Sequence, residues 1–177
     1  MSDTPYMGEL TDVILGQEFL TWLWFKSEAG SGQFRNSEGV TFGVYMEQRI
    51  SVQGGEGESL ETATVSGPMS ELREARLGLS TGKKVNRALL RIERDADTWS
   101  VSLKAEDFQL NSMKTPVIEK DGEDDDPDGA FLEKIYLIES CLGYIDEVYR
   151  QFLTVRLSPA DWQEEVKAFR NWLADGE

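Results

Sequence analysis

The chain has 177 residues, 40% hydrophobic and 10% aromatic, which is enough to bury the core of one domain and excludes a disordered chain. It carries 33 acidic and 18 basic residues, a net charge of −15. It has no histidine and a single cysteine, which excludes Ser-His and Cys-His nucleophile pairs, histidine-containing zinc sites and an internal disulfide.

The sequence also indicates the cellular compartment of the protein. The first residues lack the basic and apolar regions of a secretory signal, and no apolar run is long enough to span a membrane. The single thiol suits a reducing environment, so we expect a cytoplasmic protein without a membrane anchor. An acidic protein repels phosphate backbones at long range, so contact with a nucleic acid would need a local basic surface.

The first predicted element is a helix of about four turns. Asp12 suits its N-cap and Gly30 ends it. The helix is apolar nearly all round, apart from a polar stripe that includes Gln17 and Glu28, and Trp24 falls inside that stripe. Packing in the core is one interpretation of Trp24. The other makes Trp24 a candidate interface residue that meets a second subunit, since tryptophan in a polar stripe often marks an interface.

A β-hairpin is predicted next. Alternating apolar residues indicate one strand over residues 40–46 and another over 50–52, joined by a turn at Glu47–Gln48. The glycine-rich residues 54–57 lack the lysine and hydroxyl ending of a P-loop, so we interpret them as a turn. A further strand is predicted over residues 60–65.

The central stretch begins with a short helix. Proline in the sequence Ser66-Gly67-Pro68 favours a helix start there, and Gly82 favours a left-handed stop. Alternating residues then predict a strand over 85–92, a turn over 95–97 and a strand over 99–104. Phe108 and Leu110 indicate a final strand.

Residues 116–129 form an acidic run with two prolines, which predicts a solvated linker. The alternative is a loop that associates weakly with Mg²⁺ or Ca²⁺. The carboxylates do not follow the spacing of an EF-hand, so no metal ligands are assigned.

The C-terminal section has the clearest helical periodicity in the chain. Apolar residues recur at steps of 4 and 3 and predict a long helix with one apolar seam: Phe131, Ile135, Ile138, Leu142, Ile145, Tyr149 and Phe152. Cys141 broadens that seam and is interpreted as a packed hydrophobe. Ser158-Pro159-Ala160-Asp161 is typical of a helix start, so a second helix should fold back on the first as an antiparallel hairpin.

Together these elements predict an α+β fold, mainly an antiparallel β-sheet with packed helices and a C-terminal antiparallel helical hairpin. Residues 1–115 are expected to form the α+β domain and residues 116–129 the acidic linker. Residues 130–177 should form the helical hairpin, packed on the same domain.

The run from Ser66 to Lys114 resembles the later part of the recombination-associated RdgC family. The elements that carry the resemblance are the short helix rich in serine and glutamate, the join Gly82-Lys83-Lys84-Val85, the strand at Leu89-Leu90, and the strand at Leu103-Lys104 that leads to Phe108. The acidic stretch and the helical end that follow are similar in kind, and LGQEFLTWLWFKSE also looks like a segment of longer relatives.

The resemblance implies a non-enzymatic protein without a cofactor. Members of the family bind duplex DNA with little sequence preference, assemble as ring-shaped dimers around it and restrain the RecA-type recombinase. The partners it implies for this chain are duplex DNA, a recombination protein and further copies of itself.

Six basic residues near the central strands are the candidate DNA-binding residues: Lys83, Lys84, Arg87, Arg91, Arg94 and Lys104. Lys83, Arg87 and Arg91 alternate along one strand and would share a face that lines phosphates. The other interpretation is a solvated sheet face that is balanced by neighbouring acids.

Three functions follow from these observations. The first is a non-catalytic, RdgC-like protein that binds duplex DNA or a recombination partner. The second is an acidic protein-interaction module that does not bind DNA. The third, a carboxylate-metal nuclease, is disfavoured because no pair of acids lies in a context that explains a shared metal or a raised pKa.

Overall fold

A computed structural model describes residues 15–55, 61–66, 73–118 and 126–175. These residues form six strands and four helices, in the order α1 (Gly16–Ala29), β1 (Gln33–Arg35), β2 (Thr41–Gly54), β3 (Glu61–Ser66), α2 (Arg73–Ser80), β4 (Lys84–Arg94), β5 (Asp97–Lys104), β6 (Leu110–Lys114), α3 (Pro127–Arg156) and α4 (Pro159–Ala174).

The strands form one antiparallel sheet in the order β1-β2-β4-β5-β6, and β3 pairs with the second half of β2. β4 and β5 form a tight hairpin, in which Arg94 pairs with Asp97. Asp95 has a φ of 52° in this turn, a left-handed conformation that aspartate tolerates better than most residues. The predicted α+β class, with its antiparallel sheet and C-terminal helix pair, is confirmed.

The predicted turn at Glu47–Gln48 is wrong. β2 is a single strand of 14 residues that runs through this position. Its pairing with β4 shifts register between Met46 and Ile50, which is a bulge in the ladder and not a reversal of the chain. Glu47 instead faces β4 across the ladder, where its carboxylate pairs with Arg91.

One face of the sheet is covered by helices. Phe42 of β2 and Trp99 of β5 contact the same ring, Tyr144 of α3, at centroid distances of 4.7 and 5.5 Å. The Trp99 indole N–H also donates to the backbone carbonyl of Leu137, 2.9 Å away, so the polar edge of this buried ring has a partner. Residues of the sheet, the hairpin and α1 form one continuous core.

α1 lies deepest in this core. The Thr21 hydroxyl accepts a hydrogen bond from the Val85 amide at 2.9 Å and so ties α1 to the start of β4. Glu18 is fully buried, and its carboxylate pairs with Arg156 of α3 at 2.7 Å and lies 4.0 Å from Lys84. A buried carboxylate needs such partners because desolvation otherwise disfavours its charge.

α3 and α4 form the predicted hairpin, but the buried side of α3 differs from the predicted seam. The residues of α3 that face the core are Leu137, Cys141, Tyr144, Ile145, Val148 and Phe152. Phe131, Ile135 and Leu142, which the seam also contained, are exposed. Residues 127–129 of the predicted linker belong to the first turn of α3, and Asp126 is its N-cap.

Several predicted features lie wholly or partly outside the described residues. They are the cap at Asp12, the helix start after Ser66 and the acidic residues 119–125. α1 is described from Gly16 and α2 from Arg73, and Gly82 has the predicted left-handed conformation, with a φ of 91°.

Candidate functional site

The sheet face turned away from the helices carries three of the predicted basic residues. On β4 the buried side chains Ala88, Leu90 and Ile92 alternate with outward ones, so Arg87 and Arg91 share the uncovered face. Arg87 pairs in register with Lys104 of β5. We call the surface formed by Tyr45, Arg87, Arg91, Ser100 and Lys104 the open face.

On the open face, most of the cationic charge is neutralised locally. The Arg91 guanidinium pairs with both Glu47 and Glu93, and it lies over the Tyr45 ring at 4.8 Å. The Lys104 ammonium pairs with Glu106 at 2.9 Å and with Asp107 at 3.9 Å. The hydrogen bond to Glu106, supported by the charge of Asp107, raises the pKa of Lys104.

The other three predicted cations lie elsewhere. Lys83 precedes β4, and its ammonium pairs with Glu61 of β3 at 3.0 Å. Lys84 is directed toward the buried Glu18 of α1, and its side chain is only 16% exposed. The register shift between β2 and the start of β4 separates these two lysines from the alternation that Arg87 and Arg91 follow, which is why the predicted common face of Lys83 and Arg87 is wrong.

Arg94 lies at the helix-covered side of the sheet. Its guanidinium donates to the Tyr144 hydroxyl at 3.0 Å and lies 3.7 Å from the Asp95 carboxylate. The hydrogen bond to Tyr144 is the main cause of the raised pKa of Arg94. Arg94 therefore does not extend the open face.

Among the described residues, Arg87 is the one predicted cation without a carboxylate within 4 Å; the other five all have one. Three of the six residues thus lie on the open face, while Lys83 pairs with β3, Lys84 with α1 and Arg94 with α3. The arrangement leaves Arg87 as a single exposed cation next to a paired Lys104.

The prediction that Trp24 meets a second subunit is wrong. Trp24 has no exposed surface, because the polar stripe in which it lies faces the sheet and α2, where Thr21 bonds to Val85 and Glu28 lies 3.9 Å from Arg76. Its indole N–H donates to the Glu28 carboxylate at 2.8 Å, and its ring packs edge-on against Trp172 at 5.7 Å. Burial raises the pKa of Glu28, although the Trp24 hydrogen bond and the charge of Arg76 oppose that rise.

The described residues contain no group of three or more side chains that could hold a metal ion. Cys141 is fully buried in α3, as the seam predicted, and burial raises the pKa of its thiol to about 11. A thiol with that pKa is almost entirely protonated at neutral pH and is a poor nucleophile.

The first half of α3 carries an apolar surface that the sequence did not assign to function. We call it the α3 apolar face, and it consists of Phe131, Leu132, Ile135, Tyr136 and Leu142. Phe131, Leu132 and Tyr136 are each more than 60% exposed. Clustered exposed apolar side chains of this size are uncommon on a monomer and mark interaction surfaces.

A signal for this surface is present in the sequence. Leu132 and Tyr136 repeat the spacing of Phe131 and Ile135 one residue later, so apolar side chains cover a wider arc of the helix than one neighbouring layer can bury. The predicted seam treated that arc as core.

An apolar groove continues from the α3 apolar face. It has a volume of about 330 Å³ and lies between α3 and the β5–β6 edge of the sheet. Six of its lining residues are apolar and one is charged: Leu103, Phe108, Leu110, Leu142, Ile145, Tyr149 and Asp146. Leu142 belongs to both surfaces.

Comparison of the chain with models of protein families, with curated proteins and with solved structures finds no match. Membership of the RdgC family therefore stays a prediction. Within the part of the chain that the structure describes, no helix is both long and apolar enough to traverse a lipid bilayer.

Proposed function

We propose that this chain is a non-catalytic protein-interaction module that does not bind DNA and that contacts its partner through the α3 apolar face. The observation that carries the proposal is the exposure of Phe131, Leu132 and Tyr136 on consecutive turns of one helix. Exposing such side chains to water is unfavourable, and docking a partner on them removes that apolar area from solvent.

The charge distribution supports the same choice. The chain has a net charge of −15, and duplex DNA is a dense polyanion, so binding would have to overcome long-range repulsion. Arg91 and Lys104, which face solvent on the open face, already have carboxylate partners. A phosphate would have to displace those carboxylates before it gained a contact.

Duplex-DNA binding by an RdgC-like protein is the second candidate, and one observation favours it. Arg87 and Lys104 are direct cross-strand neighbours, so two cations lie side by side on the open face. This function predicts binding that weakens steeply with salt and that is lost when Arg87 and Arg91 are both replaced by glutamate.

Anisotropy of a labelled DNA duplex separates the two candidates. At a low salt concentration of about 50 mM, where phosphate contacts are strongest, we expect no binding by the wild-type chain. Binding at that salt concentration that disappears in the variant Arg87→Glu/Arg91→Glu would establish the second candidate and refute the first.

The interaction itself is tested with two matched variants. Leu132→Glu changes a leucine of the α3 apolar face that is 64% exposed, and Leu77→Glu changes a leucine of α2 that is 61% exposed. Proteins captured from cell extract by the wild-type chain should be retained by Leu77→Glu and lost by Leu132→Glu. Identical capture by all three chains would refute the proposal.

A further inference from the structure

The groove beside α3 and the α3 apolar face form one continuous surface. Phe131, Ile135, Leu142 and Tyr149 are separated by 4, 7 and 7 residues, so they follow one side of the helix. Leu142 and Tyr149 line the groove, while Phe131 and Ile135 extend the same line beyond it. From Phe131 to Tyr149 the line is about 27 Å long.

The shape of this surface fits a helix. An apolar line of about 27 Å matches the length of a partner helix of about 18 residues. The wall opposite α3 is formed by Leu103, Phe108 and Leu110, so the groove has two apolar sides and receives a ridge of side chains between them. An amphipathic helix that places its apolar residues at intervals of 3 and 4 is the common occupant of such grooves.

Carboxylates lie along the solvent side of this line, between it and the side chains of Leu132 and Tyr136. Asp146 lines the groove itself, and Asp128 and Glu139 lie 18 and 7 residues before it, on the same side of α3. All three are exposed. In the sequence, the acidic run over residues 119–128 leads directly into this end of the helix, with seven acids and one lysine.

Two cations of α3 lie beside this surface, Lys134 and Arg150. The Lys134 ammonium donates to the Thr115 hydroxyl at 2.5 Å. The Arg150 guanidinium pairs with the Asp146 carboxylate at 2.8 Å, one helical turn away. Both side chains are more than half exposed, and an exposed pair of this kind contributes little, so a partner's cation can compete for Asp146.

The charge identifies the occupant. A second copy of this chain would bring another 15 negative charges and an identical acidic border to the same surface. A helix with lysine or arginine beside its apolar ridge would instead pair with that border while it fills the groove.

We propose that the groove and the α3 apolar face together bind a basic amphipathic helix of a partner protein, an inference that rests on the proposed function. The apolar ridge of that helix lies along Phe131, Ile135, Leu142 and Tyr149. Its flanking cations contact Asp128, Glu139 and Asp146. The apolar contacts set the residence time, and the charges set the orientation and the choice of partner.

Two synthetic peptides test this assignment with the full-length chain. Each has about 18 residues and the same leucine ridge, flanked by lysine in one peptide and by glutamate in the other. Fluorescence anisotropy should show binding of the lysine peptide, weakened by added salt, and affinity for the glutamate peptide lower by at least about tenfold.

The variant Leu142→Glu should lower affinity for the lysine peptide by about tenfold to a hundredfold, because it places a charge in the groove and removes a buried leucine contact. Leu142 is 43% exposed, so we expect the variant to fold, and its circular dichroism and melting temperature are measured beside the wild type. Leu77→Glu is the matched control and should leave the affinity unchanged.

Equal binding of the two peptides, absence of binding, or an unchanged affinity in Leu142→Glu would each overturn the assignment. So would a wild-type dimer in light scattering that becomes monomeric in Leu142→Glu, since a second copy would then occupy the groove. If removal of residues 1–14 raised the affinity for the lysine peptide, those residues would be the occupant of the groove. That result would also overturn the assignment to a partner's helix.

The assignment and the proposed function fail separately. If neither peptide binds but Leu132→Glu still loses proteins that Leu77→Glu captures, the α3 apolar face binds a partner that is not a basic helix. If Leu132→Glu captures the same proteins as the wild type, the proposed function itself fails.

Discussion

Replacement of Gly16 by alanine tests a close backbone approach in the protein's core. Gly16 begins α1 and lies against the backbone of Ala105, which follows β5. A methyl group on Gly16 would lie 2.7 Å from the Ala105 carbonyl carbon and 3.1 Å from its Cα, and closer still to the carbonyl oxygen. The atoms in the way belong to backbone, so no side chain can rotate aside.

The expected cost follows from that geometry. Overpacking of a well-packed core destabilises by about 1–3 kcal/mol, and occasionally by more. At this first helical position alanine gains less than the roughly 1 kcal/mol by which it exceeds glycine in a helix interior, so helix propensity offsets only part of the clash. We expect a net fall of about 1–2 kcal/mol in the free energy of unfolding, equivalent to a melting temperature lower by roughly 2–8 °C.

Gly143 of α3 provides the matched control, because a methyl group there meets no atom within 4 Å. Gly143→Ala should raise the free energy of unfolding by about 0.5–1 kcal/mol through helix propensity alone. Chemical denaturation of both variants at neutral pH gives the two values, with equal m values as the check on two-state behaviour. A Gly16→Ala variant as stable as Gly143→Ala would refute the packing of α1 against Ala105.

Two further predictions concern titration. Burial raises the pKa of Cys141 to about 11. Its thiol should therefore react with a disulfide reagent far more slowly in the native chain than in denaturant. The free energy of unfolding should also fall as the pH rises above about 9, because the unfolded thiol loses its proton first. Reaction at equal rates in both states would contradict the burial. Burial also raises the pKa of Glu28 above its ordinary value of 4.5, so the folded state loses stability as the pH rises through that value. Glu28→Gln keeps an oxygen that can accept from Trp24 but has no group that titrates. The stability of this variant relative to the wild type should therefore increase between pH 4 and neutral pH. A constant difference in stability would contradict the raised pKa.

Regular alternation and helix-end residues made the fold class predictable from the sequence. The tight turn near Asp95, the stop at Gly82 and the start of α4 at Pro159 are set by local chemistry, and the structure has all three where the sequence placed them. The reversal at Glu47–Gln48 was predicted from local polarity. Two adjacent polar residues at a bulge within a long strand have the same local pattern, and only the pairing of β2 with β4 distinguishes the bulge from a turn.

The candidate site was harder to predict because it depends on tertiary contacts. Trp24 lies in the polar stripe of α1, and nothing in the sequence shows that Trp172 of α4 packs against its ring. Lys83 and Arg87 were placed on one face by simple alternation, which the register shift at the start of β4 interrupts. Phe131 belongs to a correctly identified helix, but which side of that helix meets the sheet is decided by residues such as Tyr144.

The central claim is that the functional surface of this protein is the α3 apolar face and not the open face of the sheet. Its most direct test is quantitative capture from cell extract by three chains in parallel: the wild type, Leu132→Glu and Arg87→Glu. We predict that Arg87→Glu retains the proteins bound by the wild type and that Leu132→Glu loses them. Loss of binding in Arg87→Glu together with full retention in Leu132→Glu would contradict the claim.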